Sequence, residues 1–315
     1  MLNRRHLRIK VLQSLYSYFN AGDNDYVKSE KELLASISKI YDLYLYYLTF
    51  FEEIVVHASN RIEESRNKKL PTREDLQPNL RFVENRVFTK LVSNPAIKSE
   101  ASKRKISWQK EQDIVRKVFS AIRQSELYNQ YMVVPQSSFE EDQEFAAAIF
   151  KDYFANSEQL LNFFEEQSIF WVDDIDMVCA AVIKTIKSTT DGNKADAILP
   201  LYKDETEDAK FVKDLFRKVT TGNDEAEKLI SEKAANWELE RIALMDMLLM
   251  KMAITEAIEF PTIPTKVTLN EYIEISKFYS TPKSNGFING ILDKIFAELK
   301  KTGGIKKAGR GLIED

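Results

Sequence analysis

The sequence predicts an all-α fold, and three observations carry the prediction. Apolar residues recur at three- and four-residue spacing in segment after segment, as helices with one buried stripe require. Only nine glycines and eight prolines occur in 315 residues, too few for the tight turns of hairpins and sandwiches. A hydrophobic fraction of 44% beside 30% charged residues supports a packed core rather than a disordered chain. The length suits two ordinary domains, or one domain with a large insertion.

The first helix starts in the basic "NRRHLRIKVLQ", where Leu7, Val11, Leu15 and Phe19 repeat at helical intervals, and "AGDND" breaks it. Residues 30–66 read as one long helix rich in tyrosine and phenylalanine, followed by the loop "LPTREDLQPN" with its two prolines. In that helix Tyr41, Tyr44, Leu48, Phe51 and Val55 read as core, the other reading of such a stripe being a ligand cleft or partner groove. Shorter helical patterns follow at 81–92, 108–130, 139–155, 157–168 and 174–187, and "TTDGNKADAILPLYKDE" reads as a connection. Helices are then expected at 207–219, 224–234, 238–259, 265–279 and 285–300, with "FPTIP" and "STPKSNG" as stops. In the last of these Ile288, Ile291, Leu292, Ile295, Phe296 and Leu299 form one stripe. The tail "KKTGGIKKAGRGLIED" has none and reads as mobile.

Several function classes fall away. No run approaches the roughly 18 uncharged apolar residues that span a bilayer. Even "YDLYLYYLTFFEEIVV" is broken by Asp42, Glu52 and Glu53, so no membrane partner is expected. Cys179 is alone and no segment resembles a signal peptide, which points to reducing cytoplasm. His6 and His57 have no metal-ligand spacing and no nucleophile motif, so neither a zinc site nor a catalytic triad is expected. GxGxxG and GxxxxGK[ST] are absent, and the tail's "GGIKKAGRG" lacks the flanking strand and helix of a phosphate loop. No catalytic residue, metal or cofactor is expected. Asp173, Asp174 and Asp176 could pair on Mg²⁺, but they also stand where acids cap and charge the first turn of a helix.

Cations cluster at three places in a chain of formal net charge -4: the N-terminus, "KSEASKRKISWQK", and Lys300, Lys301, Lys306, Lys307 and Arg310. Solvated surface is the ordinary reading of such runs. At the N-terminus Arg4, Arg5, Arg8 and Lys10 stand beside the positive end of a helix dipole, where cations are mildly unfavourable, so helix stability does not explain them. An anion docking there does. Arg4 and Arg8 are one turn apart, so both could face one phosphate strand.

The stretch "RIALMDMLLMKMAITEAIEFPTIPTKVTLNEYIEISKFYSTPKSNGFINGILDKI", residues 241–295, resembles the C-terminal half of the NusB family of bacterial antitermination proteins. Pro261, Ile263, Pro264, Lys266, Val267, Asn270, Glu271, Lys277, Phe278, Ser284, Phe287, Asn289, Gly290, Leu292 and Asp293 fall in the family's order, and "NRRHLRIKVLQSLYSYF" is similar to its first helix. Gly290 costs up to about 1 kcal/mol inside a helix, which suggests that another helix approaches closely there. Asn270 and Asn289 suit bridging helices or capping loops. Family members are about half this length, so residues 26–199 look like a helical insertion of unassigned role. The loop "FYSTPKSNGF" departs from the pattern: it lacks the glycine after Phe278, is one residue longer, and carries Lys283 where an acid is frequent.

The resemblance implies a NusB-like helical bundle built from residues 1–25 and 200–302, the insertion 26–199, and a basic flexible tail, 303–315. It implies a non-catalytic RNA-binding protein that joins NusE, a small-subunit ribosomal protein. Together they would capture single-stranded boxA-type RNA in ribosomal leaders and act on the RNA polymerase elongation complex. Arg4, Arg5, Arg8 and Lys10 would hold RNA, with Lys283, Ser284 and Asn285 as further contacts. Tyr16 and Asp246 match positions that face the protein partner. Two other classes stand beside this reading. One is a helical interaction scaffold whose RNA site has lapsed. The other is an RNA cytosine methyltransferase, which would need an α/β cofactor domain and a nucleophilic cysteine, whereas Cys179 lies in a helical pattern.

Overall fold

The computed structural model describes residues 1–21, 25–134, 138–192, 196–234 and 242–312, and among these no strand occurs. The helices run α1 (Arg4–Ala21), α2 (Tyr26–Arg66), α3 (Arg73–Leu76), α4 (Arg86–Ser93), α5 (Pro95–Arg104), α6 (Gln112–Gln124), α7 (Glu126–Val133) and α8 (Phe139–Ile149). A π-helical turn, Phe150–Ala155, extends α8. Then come α9 (Glu158–Gln167), α10 (Ile175–Ser188), α11 (Glu205–Thr221), α12 (Asn223–Lys233), α13 (Leu244–Glu259), α14 (Thr265–Tyr279) and α15 (Ser284–Lys301). No helix among the described residues is long and apolar enough to cross a membrane.

The chain forms two compact units. One contains Leu2–Ile37 and the described residues from Tyr202 onward; the other contains Ser38–Leu201 with Met1. In the first, α13 is the central element, packed against α1, α11, α12, α14 and α15. Its residues from Asp246 to Ala257 are buried on every side, as a helix enclosed by others must be. The stripe read in α15 is buried at Ile288, Ile291, Leu292, Ile295 and Phe296. Around α1, Leu7, Val11, Leu12 and Leu15 complete the core.

In the second unit the aromatic face of α2 is core. Tyr44, Tyr47, Phe50 and Phe51 are buried, and Phe50 packs on Trp108 and Phe154, Tyr47 on Phe150 and Phe164. Over Tyr44–Phe51 the rings pack against one another as core. The helix expected from 81 starts only at Arg86, where Asn85 accepts from the Val87 and Phe88 N–H groups. The run expected at 108–130 divides at Ser125, which caps α7 through the Tyr128 N–H. Helix α5 was not expected; it buries only Ile97 and Ala101, so its sequence carries no stripe.

Three expectations need correction. A Cβ built on Gly290 meets nothing within 4 Å, so no helix approaches there and the glycine is exposed. The part of the tail read as mobile that lies within the described residues, up to Leu312, is docked: Lys307 Nζ donates to the Ala257 and Phe260 carbonyls, and the Ala308 N–H to Pro261 O, while 313–315 lie outside the described residues. Asp174 takes the N-cap position of α10, yet its side chain makes no capping hydrogen bond. Among the described residues no group of three His, Cys, Asp or Glu side chains could hold a metal ion. The expected helix from 238 begins at Leu244 within the described residues, and 235–241 lie outside them.

Candidate nucleic-acid interface

The start of α1 is set by Asn3, whose Oδ1 accepts from the His6 N–H at 3.0 Å while its own N–H donates to His6 Nδ1 at 3.3 Å. Burial, with the nearby Arg5 charge, holds the His6 imidazole below its ordinary pKa, so it is neutral and able to accept. The first turn therefore contains no acid. Anions reach it from other helices.

Each of the three arginines meets a carboxylate of its own unit. Arg4 Nε lies 2.9 Å from Asp208 Oδ1 and its guanidinium sits 4.4 Å from the centre of the Phe211 ring. Asp208 also accepts from the Lys203 and Asp204 N–H groups, so this carboxylate fixes the start of α11 as well. Arg5 grips Glu271 of α14 with both prongs, Nε at 2.9 Å and Nη2 at 2.8 Å. The Glu271 carboxyl is partly desolvated, which opposes ionisation, but the Arg5 hydrogen bonds and the Arg8 and Arg5 charges prevail and hold it below the usual carboxylate range.

Arg8 is different in kind. It is 2% exposed, and its Nε and Nη2 each donate at 2.7 Å to Glu256, which is 0% exposed in the central helix. Thr268 Oγ1 donates to the same carboxylate at 2.8 Å and the Tyr272 hydroxyl at 3.1 Å, so its lone pairs are satisfied. Burial pushes the Tyr272 phenol up, with the Glu256 charge adding to it, so that hydroxyl remains a donor. Desolvation works against the Arg8 charge, yet Glu256 overrides it and the guanidinium stays protonated.

The geometry sorts the expected site residues. Arg4 and Arg5 keep 37% and 42% of their side chains exposed. Arg8 and Lys10 are both buried, so neither presents its charge at the surface, and the phosphate role read for them at the sequence level is corrected to a core role. Lys283 is exposed at the N-cap position of α15, with Asn285 half-buried after it. Ser284 is buried and turned inward, its hydroxyl oxygen within hydrogen-bond distance of Ser280 Oγ at 2.9 Å and of Thr281 Oγ1 at 2.8 Å. Asp246, expected to face a partner, is itself buried and accepts from Ser280 Oγ, so it braces the loop that precedes α15. Tyr16 is 43% exposed. Among the described residues no hydrogen bond or ion pair joins Lys283 or Asn285 to the arginines of α1. What the sequence does not signal is the pairing of these arginines with Asp208, Glu256 and Glu271, of which only Glu271 is among the positions matched above to the family.

Comparison with known proteins gives a consistent family. A family model described as "NusB family" matches residues 175–297, and so begins inside the segment read as an insertion. The chain is 42% identical over 140 residues to the transcription antitermination protein NusB of Salinibacter ruber, covering 42% of this chain and 86% of that protein. It is 49% identical over 85 residues to the NusB protein of Chloroherpeton thalassium, covering 27% and 40% respectively. With the NusB protein of Desulfatibacillum aliphaticivorans the identity is 40% over 93 residues, covering 30% and 65%. No solved structure matches the chain significantly.

Proposed function

The chain belongs to the NusB family, and from that premise we propose that it is a non-catalytic, RNA-binding transcription antitermination factor. The observation that carries this is the 42% identity that spans 86% of a protein named for that role. In the finer reading, it joins NusE on single-stranded boxA-type RNA and helps the RNA polymerase elongation complex resist termination.

The outer faces of Arg4 and Arg5, with Lys283 and Asn285, form the RNA-binding set in this proposal, and Tyr16 belongs to the partner surface. Two features support the choice. Arg5 spends Nε and Nη2 on Glu271, which leaves Nη1 for an outside acceptor. The internal carboxylates also hold both guanidiniums in one pose, so less side-chain freedom is lost when a phosphate docks. Arg8 acts beneath them by tying α1 to α13. Asp246 and Ser284 position the loop that carries Lys283.

Neutralised arginines bind RNA weakly, so the proposal assigns much of the affinity to simultaneous engagement of NusE. Such linkage multiplies affinity by roughly 10² to 10⁴ without a new contact. The same ion pairs favour the second reading, a scaffold whose RNA site has lapsed. Fluorescence anisotropy separates the two. The full chain with NusE should bind a labelled boxA-type RNA at least ten-fold more tightly than a scrambled RNA, whereas a scaffold would treat them alike.

A further inference from the structure

The unit formed by Ser38–Leu201 holds a cleft of about 300 Å³ where the last turns of α2 meet α3, α6 and α7. Its floor is apolar and aromatic. Phe82 and Phe119 are buried there, 5.7 Å apart between ring centres, and the half-buried Tyr128, tilted on Phe82 at 5.4 Å, also lines the cleft. The rim is charged. Lys68 and Asp75 neutralise each other at 2.9 Å, and Asp75 is further engaged by the Thr72 N–H in the capping box of α3. Arg61 and Arg123 also line the cleft, and among the described residues neither has a carboxylate partner. Both stand near enough to Tyr128 for their charges to oppose the rise that burial imposes on its phenol. Glu74 is the remaining acid on the rim.

A stacking ring beside two uncommitted guanidinium forks is the chemistry of a nucleotide unit. The ring offers a face to a base, and each fork matches a pair of phosphate oxygens. The volume is at the lower bound of small-ligand pockets, suited to one such unit rather than to a dinucleotide cofactor. We propose that this cleft binds a nucleoside phosphate, either one nucleotide of a single-stranded RNA or a free nucleotide, with the base against Tyr128 and the phosphate on Arg61 and Arg123. The site lies outside the residues matched by the family model and does not depend on the antitermination reading.

The test uses the full chain without NusE. A labelled ten-nucleotide homopolymer RNA lacking any boxA element is titrated by anisotropy, and adenosine and uridine 5′-monophosphate by calorimetry. Wild type is compared with Arg61→Gln/Arg123→Gln and with Tyr128→Leu, each checked for wild-type circular dichroism. The double variant should weaken the oligomer at least ten-fold and lower its salt slope by about 0.7, the value for loss of one single-strand phosphate contact. Glu74→Gln should tighten it two- to three-fold. If the monophosphates also bind wild type and lose affinity in the double variant, the occupant is a free nucleotide; if only the oligomer responds, it is RNA. Absence of binding by wild type, or affinities in the double variant within two-fold of wild type, overturns the proposal. Arg4→Gln/Arg5→Gln serves as the control, since a loss confined to that variant would place RNA binding in the other unit and overturn this site.

Discussion

Replacing Arg8 by alanine should loosen the core of the family-related unit far more than its position on a basic helix suggests. The substitution leaves Glu256 with 0% exposure, facing only the Thr268 and Tyr272 hydroxyls, and removes two charge-assisted hydrogen bonds of 2.7 Å. Breaking a buried ion pair from one side costs about 3–5 kcal/mol. With two units present, a single global unfolding energy is not well defined, so native-state hydrogen exchange is the suitable assay. Amides of α13 and α14 should exchange roughly two to four orders of magnitude faster at about 1.4 kcal/mol per decade, while α4 and α8 stay unchanged. Arg8→Met/Glu256→Gln should recover most of the loss, because it removes both charges and keeps an acceptor for the two hydroxyls. A loss below about 1 kcal/mol, or a double variant no better than the single one, would refute the buried-pair account.

Other substitutions probe separate contacts. Glu271→Gln should cost at most about 1 kcal/mol, since Arg5 is part-exposed, yet raise affinity for boxA-type RNA two- to five-fold in anisotropy by freeing the Arg5 fork. Because the folded Glu271 pKa is depressed, its contribution in wild type is present above the ordinary value of 4.5 and is lost as pH falls through the lower folded value. An acid titration of stability should therefore show a smaller loss in the Gln variant. Asn85→Ala removes a cap for two N–H groups and two donated bonds, to Tyr131 Oη and to the Asp142 carbonyl. Exchange in α4 and α8 should report a loss of about 2–4 kcal/mol. Gly311→Ala would place its Cβ 1.9 Å from the Pro261 carbonyl oxygen, so the docked tail must leave. Limited trypsinolysis after Lys306, Lys307 or Arg310 should quicken at least ten-fold while the core fragment persists.

Legibility followed the completeness of each local pattern. The bounds of α14 and α15 lie within a residue of expectation because a stop on either side frames a full apolar stripe. The break at Ser125 was hidden because α6 and α7 continue one apolar rhythm across the cap. Helix α5 buries too little to show, although "NP" at 94–95 was a start signal: Asn94 caps it and Pro95 occupies its first turn. The arginine cluster is visible as charge, but the carboxylates that meet Arg8 and Arg5 in the fold lie 248 and 266 positions away, too far for any local pattern to show. One cue was available. Glu256 sits in the run "MAITEAIE", and an acid on a helix buried all round requires a cation or hydrogen-bond donors brought from elsewhere in the fold. Asp246 carries the same cue near the start of that helix, and it too turned out to be satisfied from within.

The central claim is that the exposed remainder of Arg4 and Arg5 contacts RNA phosphate, with the Arg8 pair as foundation. The measurement that tests it most directly is the salt dependence of binding to a labelled boxA-type RNA in the presence of NusE, for wild type and for Arg4→Gln/Arg5→Gln. The account predicts weaker binding and a salt slope reduced by about 1.4, roughly 0.7 for each lost contact. Identical affinity and slope in the two proteins would contradict it and move the search for the RNA surface away from α1.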